Sequence, residues 1–188
     1  MIKPGEISLK AREMGVRDQQ IEKDYMLSWI LQGVAQHEQL SKAIVFKGGT
    51  VLKKIYFDNY RFSEDLDFTL LNDDITNEQI FAWFTETFEY VLEEANIRLE
   101  IIDPDFHLDT HEHEDARLPD GQGGINFHIS YIGPLGGQGN NKKVKVDISR
   151  SEKLEFKPVM KTVLLIYSDL TEHQLLCCLL YTSPSPRD

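Results

Sequence analysis

Asp65 and Asp67 alternate with Leu66 and Phe68 in the run SEDLDFTL. On a β-strand, residues i and i+2 point to one face, roughly 6.5–7 Å apart along it. The two carboxylates therefore share a face, while Leu66 and Phe68 take the opposite one and can pack on a core. Ionised carboxylates held side by side repel, so something must compensate them. A divalent cation with oxygen ligands does this, and Mg²⁺ commonly takes one or two carboxylates together with substrate phosphates. The plainer alternative is a solvated edge strand that carries two acids by chance.

The neighbouring residues weigh against chance. Gly48, Gly49 and Thr50 precede the acids by fewer than 20 positions and interrupt an apolar strand just before a short helical stretch. A helix start presents unpaired N–H groups and partial positive charge, a natural seat for phosphate. Glycines let a ligand approach the backbone without a Cβ in the way. A Gly-Gly turn alone is weak, but beside paired carboxylates one element can hold phosphates and the other a metal. In KVKVDIS, residues 143–149, Val144, Val146 and Ile148 face one way and Lys143, Lys145 and Asp147 the other. Asp147 can join the first two acids from an adjacent strand, although the segment alone reads as an ordinary amphipathic strand.

These residues need a scaffold, and hydrophobic periodicity supplies its outline. Helical spacing predicts a helix over 18–36, with Asp18 at its N-cap, and another over 77–95 whose stripe is Ile80, Phe84, Phe88 and Val91. Phe81 joins that stripe as core. A short helix is expected over 50–57, with Val51, Leu52, Ile55 and Tyr56 on one face and Lys53 and Lys54 on the other. Strands are expected at 43–46, 66–71, 97–102, 125–132, 143–149 and 161–167. The glycine-rich stretch 133–141 joins two antiparallel strands. This order lacks regular βαβ alternation and points to an α+β fold with a mixed sheet flanked by helices.

The chain has 188 residues, 41% hydrophobic and 27% charged, the composition of a folded domain with a real core. A net charge of −11 argues against broad non-specific nucleic-acid binding but leaves room for a small basic site. No apolar run reaches the ~18 residues of a membrane span. Cys177 and Cys178 are adjacent and offer no disulfide framework. A cytoplasmic protein without membrane association is expected.

The stretch FKGGTVLKKIYF…RFSEDLDFTL resembles the signature of the nucleotidyltransferase AbiEii/AbiGii toxin family, within the DNA polymerase β-like nucleotidyltransferase superfamily. VKVDIS is similar to that family's later strand, and the resemblance covers roughly residues 18 to 175. It implies a metal-dependent transfer of a nucleotide from an NTP to an acceptor, RNA (tRNA) where one is established. It also implies a cognate antitoxin and a place in type IV toxin–antitoxin or phage-defence systems. By the same resemblance Asp65, Asp67 and Asp147 would be the catalytic acids and hold Mg²⁺ or Mn²⁺. Gly48, Gly49, Thr50, Lys53, Arg61 and Ser63 would contact the nucleotide and its phosphates, with Arg61 alternatively fixing the acidic strand. Asp147 would bind a second metal or help deprotonate the acceptor hydroxyl.

Two other readings start from the same residues. DLDFTL matches the Asp-x-Asp-x-Thr-Leu motif of haloacid dehalogenase-like phosphatases, whose first Asp is a nucleophile. That fold needs an apolar strand directly before the Asp, and here the preceding residues are NYRFSE. A non-catalytic NTP- or RNA-binding module is the second. HLDTHEHEDARLPD, residues 107–120, tempts a metal reading, but its spacing matches no zinc pattern and its composition is that of a loop.

IYSDLTEHQLL resembles the family's entry into a helical C-terminal region that would supply a catalytic lysine and a further acid. LLYTSPSPRD resembles a tail left by translated sequencing-adapter DNA, though its Ser/Pro content alone would suit a disordered end. The expected organisation is therefore a nucleotidyltransferase core over 1–176 and a non-native tail over 177–188. The helical region would be missing and this chain by itself nearly inactive.

Overall fold

The computed structural model describes residues 1–105, 124–137, 142–150, 154 and 156–178. The histidine-rich stretch 107–120, most of the glycine-rich connection after Gly137 and the tail over 179–188 lie outside the described residues. Helices α1 (Pro4–Met14), α2 (Asp18–Gln36) and α3 (Glu38–Ala43) lead into strand β1 (Ile44–Lys47). One helical turn, α4 (Gly49–Val51), widens into a π-turn over Leu52–Tyr56, closed by Phe57 N–H donating to the Leu52 carbonyl at 2.8 Å. Then follow β2 (Asp65–Leu70), α5 (Asn77–Ala95), β3 (Arg98–Asp105), β4 (Ile125–Ile132), β5 (Lys143–Ser149), β6 (Val159–Thr162) and β7 (Gln174–Cys177).

Among the described residues the strands form one seven-stranded mixed sheet in the order β3-β4-β5-β2-β1-β7-β6. The acidic strand β2 is fourth of the seven, so it is no edge strand. It runs antiparallel to β1 and parallel to β5. Alternation along β2, β4 and β5 gives one apolar face, including Leu66, Phe68, Phe127, Val146 and Ile148, all buried. Helices α2 and α5 cover it, with Phe127 edge-on to both Phe81 and Phe84. Such ring pairs contribute about 0.5–1.5 kcal/mol beyond their buried area. α5 is set by a reciprocal cap, in which Gln79 N–H donates to Thr76 Oγ1 and Thr76 N–H to Gln79 Oε1. α2 is enclosed almost all round. At Gly33 a methyl group would come within 2.6 Å of Thr87 Cγ2, so glycine sets how closely α2 and α5 pack.

Several expectations need correction. Arg17, not Asp18, occupies the N-cap of α2, because Asp18 already lies in the first turn and accepts a bond from Ser8 Oγ at 2.6 Å. Lys53 and Lys54 do not line an outer face, since both are buried. The Lys54 ammonium reaches Asp24 and Ser28 on α2, and the Lys53 ammonium reaches the carbonyls of Asp58 and Tyr60 in the loop that follows. The strand expected over 161–167 is Val159–Thr162, and the region expected to begin a helix instead supplies β7. There Cys177 pairs with Phe46 and Cys178 N–H donates to the Phe46 carbonyl. No helix among the described residues is long and apolar enough to cross a membrane.

Candidate active site

The register of four strands builds the site. Asp67 lies opposite Lys47 on β1 and opposite Asp147 on β5, and Asp147 lies opposite Asn126 on β4. Two residues earlier along β2 and β5, Asp65 faces Lys145, which faces His128. Directly opposed residues share a face, so the sheet's polar side carries two adjoining rows, Lys47–Asp67–Asp147–Asn126 and Asp65–Lys145–His128. The three acids expected from the sequence stand on this one face. Sequence reasoning put Lys145 on the face of Asp147 but did not find Lys47 or Asn126, nor the pairing of Lys145 with Asp65 and His128. Period-two alternation puts Asn126 and His128 on the polar face of β4, but only register makes them neighbours of Asp147 and Lys145.

The acids are incompletely compensated. Burial, followed by the charges of Asp147 and Asp65, pushes the Asp67 carboxyl above the usual carboxylate range, against the pull of Lys47 and Lys145. Lys145 Nζ lies 2.7 Å from Asp147 Oδ2, and this bond is the main cause that raises the lysine's pKa. Lys47 Nζ donates to Ser149 Oγ at 3.0 Å. Asn126 Oδ1 and His128 Nδ1 are buried without a hydrogen-bond partner among the described residues.

The glycine turn is fastened to this strand. Thr50 Oγ1 donates to the Asp65 carbonyl at 2.6 Å, so Thr50 ties the turn to the start of β2. Gly48 has φ +79° and passes so close to Asp67 that a Cβ would run into its Oδ2. Gly49 is different, because a Cβ there would meet nothing nearer than Arg61 Nη2 at 3.9 Å. The two glycines therefore have separate reasons, backbone conformation beside a carboxylate for Gly48 and open space beside Arg61 for Gly49. Gly49→Val is expected to leave the melting temperature within a few degrees of wild type while weakening Mg²⁺–NTP binding about 10-fold or more, read by calorimetry. Gly48→Ala is expected to lower both stability and affinity, because it strains the backbone and displaces Asp67.

Arg61 and Ser63 lie in the irregular segment before β2, and Arg61 Nη2 comes 3.9 Å from the place a Gly49 side chain would take. Lys53 takes another position. Its Nζ is buried, donates to the carbonyls of Asp58 at 3.0 Å and Tyr60 at 3.3 Å, and sits 4.1 Å from the centre of the Phe62 ring. In this arrangement the lysine orders the loop that leads to Arg61 and Ser63.

Among the described residues, no three acidic, histidine or cysteine side chains are placed to hold a metal ion unaided. Hard oxygen donors on one face, short of positive charge, nevertheless suit Mg²⁺ or Mn²⁺ that completes its shell with phosphate oxygens. The residues that would hold it are Asp65 and Asp67, with Asp147 beside them. A groove of about 820 Å³ lies elsewhere, between α5 and the β3–β4 ribbon, and contains none of these residues. The phosphatase reading fails on topology, because β2 is antiparallel to one neighbour and its Asp65 stands at the strand's start.

No curated protein matches this chain. Among solved structures, MenT4, a nucleotidyltransferase toxin from Mycobacterium tuberculosis, matches at 17% identity with a TM-score of 0.52, over 92% of this chain and 54% of its own. JHP933 from Helicobacter pylori matches at 16% identity with a TM-score of 0.49, over 86% of this chain and 53% of its own. The chain thus spans about half the length of the solved structures it matches. The likeness to MenT4 is one of fold. Residues 29–180, which hold the glycine turn and all three acids, match the model of the nucleotidyl transferase AbiEii toxin family of type IV toxin–antitoxin systems, and this chain belongs to that family.

Proposed function

We propose that the protein is the toxin of a toxin–antitoxin pair and transfers a nucleotide from an NTP to an RNA acceptor such as tRNA. The observation that carries this reading is the register of Asp67 with Asp147 beside a glycine turn that wraps the Asp67 carboxylate. Bound at these acids, Mg²⁺ or Mn²⁺ would neutralise charge that accumulates on the phosphates during an in-line displacement.

This chain's own residues do the rest. The turn at Gly48, Gly49 and Thr50 seats the phosphates, with Arg61 and Ser63 beside it, and Lys53 holds the loop that carries those two. Asp65 and Asp67 present their carboxylates from a strand fixed on both sides, so little reorganisation is needed at the moment of reaction. The acceptor hydroxyl oxygen bonds to the α-phosphorus as the bond to the β-phosphate oxygen breaks, and pyrophosphate leaves. The hydroxyl proton goes to Asp147 Oδ1, the oxygen that Lys145 does not hold.

The test uses NTPs radiolabelled at the α-phosphate, total RNA and purified tRNA, with Mg²⁺ or with EDTA. Nucleotide binding is read on these 188 residues and transfer on the whole protein. Metal-dependent label on RNA is the expected result. Binding without transfer to any RNA would overturn the enzymatic reading in favour of a binding module.

A further inference from the structure

Three acids and two lysines meet in register on the polar face of the sheet, and the two lysines are held differently. Lys47 is buried at the β1 end of its row and donates to Ser149. Lys145 belongs to the second row and links it to the first: it opposes Asp65 across the β2–β5 ladder, and its ammonium bonds Asp147, two residues further along its own strand. The side chain of Lys145 is 46% exposed and that of Asp147 29%. The Lys54–Asp24 pair elsewhere in the protein is, by contrast, 0% and 2% exposed. An exposed pair exchanges partners at small cost, whereas a buried one does not. On its other side Lys145 faces His128, which offers no anion to hold the ammonium.

We propose that Lys145 is an internal counter-cation for Asp147 that a divalent ion has to displace, so that this lysine sets the metal affinity of the acid rows. The inference rests on the metal-dependent reading of the site. A carboxylate oxygen 2.7 Å from an ammonium already has a short, charge-assisted partner where a metal would bind. Lys145 thus lets three acids share one face without metal, and it weakens binding of a bare ion. A nucleotide-bound ion arrives with phosphate oxygens that can take over the freed ammonium, so the lysine favours metal that comes with nucleotide.

The test is Mn²⁺ binding to wild type, Lys145→Met, Lys145→Arg and Asp67→Asn without nucleotide, followed by electron paramagnetic resonance of the free ion and by calorimetry. Lys145→Met is expected to bind Mn²⁺ about 3- to 10-fold more tightly than wild type, and Lys145→Arg to stay close to wild type. Lys145→Met should also melt lower than wild type in EDTA and gain more on adding Mn²⁺. Unchanged or weaker Mn²⁺ binding in Lys145→Met, with binding lost in Asp67→Asn, would overturn the role of Lys145 and leave the metal site standing. Equal Mn²⁺ binding in wild type and Asp67→Asn would overturn both.

Discussion

Asp67→Asn is expected to reduce nucleotide transfer by about 10³-fold or more, the scale seen when a group that stabilises charge on the transferring phosphoryl is lost. The same change should make the metal-free protein harder to melt. Asp67 is half-buried beside Asp65 and Asp147, and its carboxyl is held above the usual carboxylate range by burial first and by those two charges next. A carboxyl whose folded-state pKa is raised favours folding while it is protonated, below its unfolded pKa. That contribution is lost as pH rises through the folded value. Wild-type stability in EDTA should therefore fall across that window, while Asn at position 67 has no proton to lose and removes that fall. Thermal melts in EDTA from acid to neutral pH, beside transfer assays with Mg²⁺, check both halves. A well-folded Asp67→Asn protein that transfers nucleotide at the wild-type rate would sink the mechanism.

Lys54→Ala is expected to cost roughly 3–5 kcal/mol, the range for stranding one member of a buried ion pair. Lys54 Nζ donates to the Asp24 carbonyl at 2.9 Å and to Ser28 Oγ at 2.8 Å, and it pairs with Asp24 Oδ1 at 2.8 Å. The other oxygen of Asp24 accepts the Tyr167 hydroxyl, also at 2.8 Å. Removing the ammonium leaves a carboxylate enclosed in protein with one neutral donor. Against a typical total of about 5–15 kcal/mol, such a loss can decide whether the protein accumulates. Urea denaturation should show a lower midpoint at an unchanged slope. Pairing Lys54→Met with Asp24→Asn should cost clearly less than the sum of the single changes, because the second removes the charge that the first strands. A loss below about 1 kcal/mol for Lys54→Ala would mean that Asp24 finds compensation elsewhere.

The sequence disclosed what depends on local period. Helices over 18–36 and 77–95 and strands over 125–132 and 143–149 have the limits read from their apolar spacing. The three acids were legible because alternation along two strands assigns each to a face, and the shared face followed once the strands paired. Partners that are distant in sequence were not legible. Lys54 looked like the wet side of a short helix because its acceptor Asp24 lies 30 positions upstream, and Lys53 because the irregular loop it bonds at Asp58 and Tyr60 carries no periodic signal. β7 was misread for a similar reason, since four residues with a parallel partner far upstream leave little periodic signal. Nor could alternation alone show that Lys145 would stand between Asp65 and His128.

The strand register also carries a consequence for synthesis. Asp67 and Asp147, 80 positions apart, become neighbours only when β2 and β5 pair. At about 5–20 residues per second on the ribosome, roughly 4–16 s separate the first acid from the last. The bonds from Tyr25 to Asp169 and from Asp24 to Tyr167 span 144 and 143 positions, so they form later still. A nascent chain that stalls before β5 emerges carries the glycine turn and one acidic strand but lacks the row those acids complete. Translation itself thus delays assembly of the two acid rows until five of the seven described strands have left the exit tunnel.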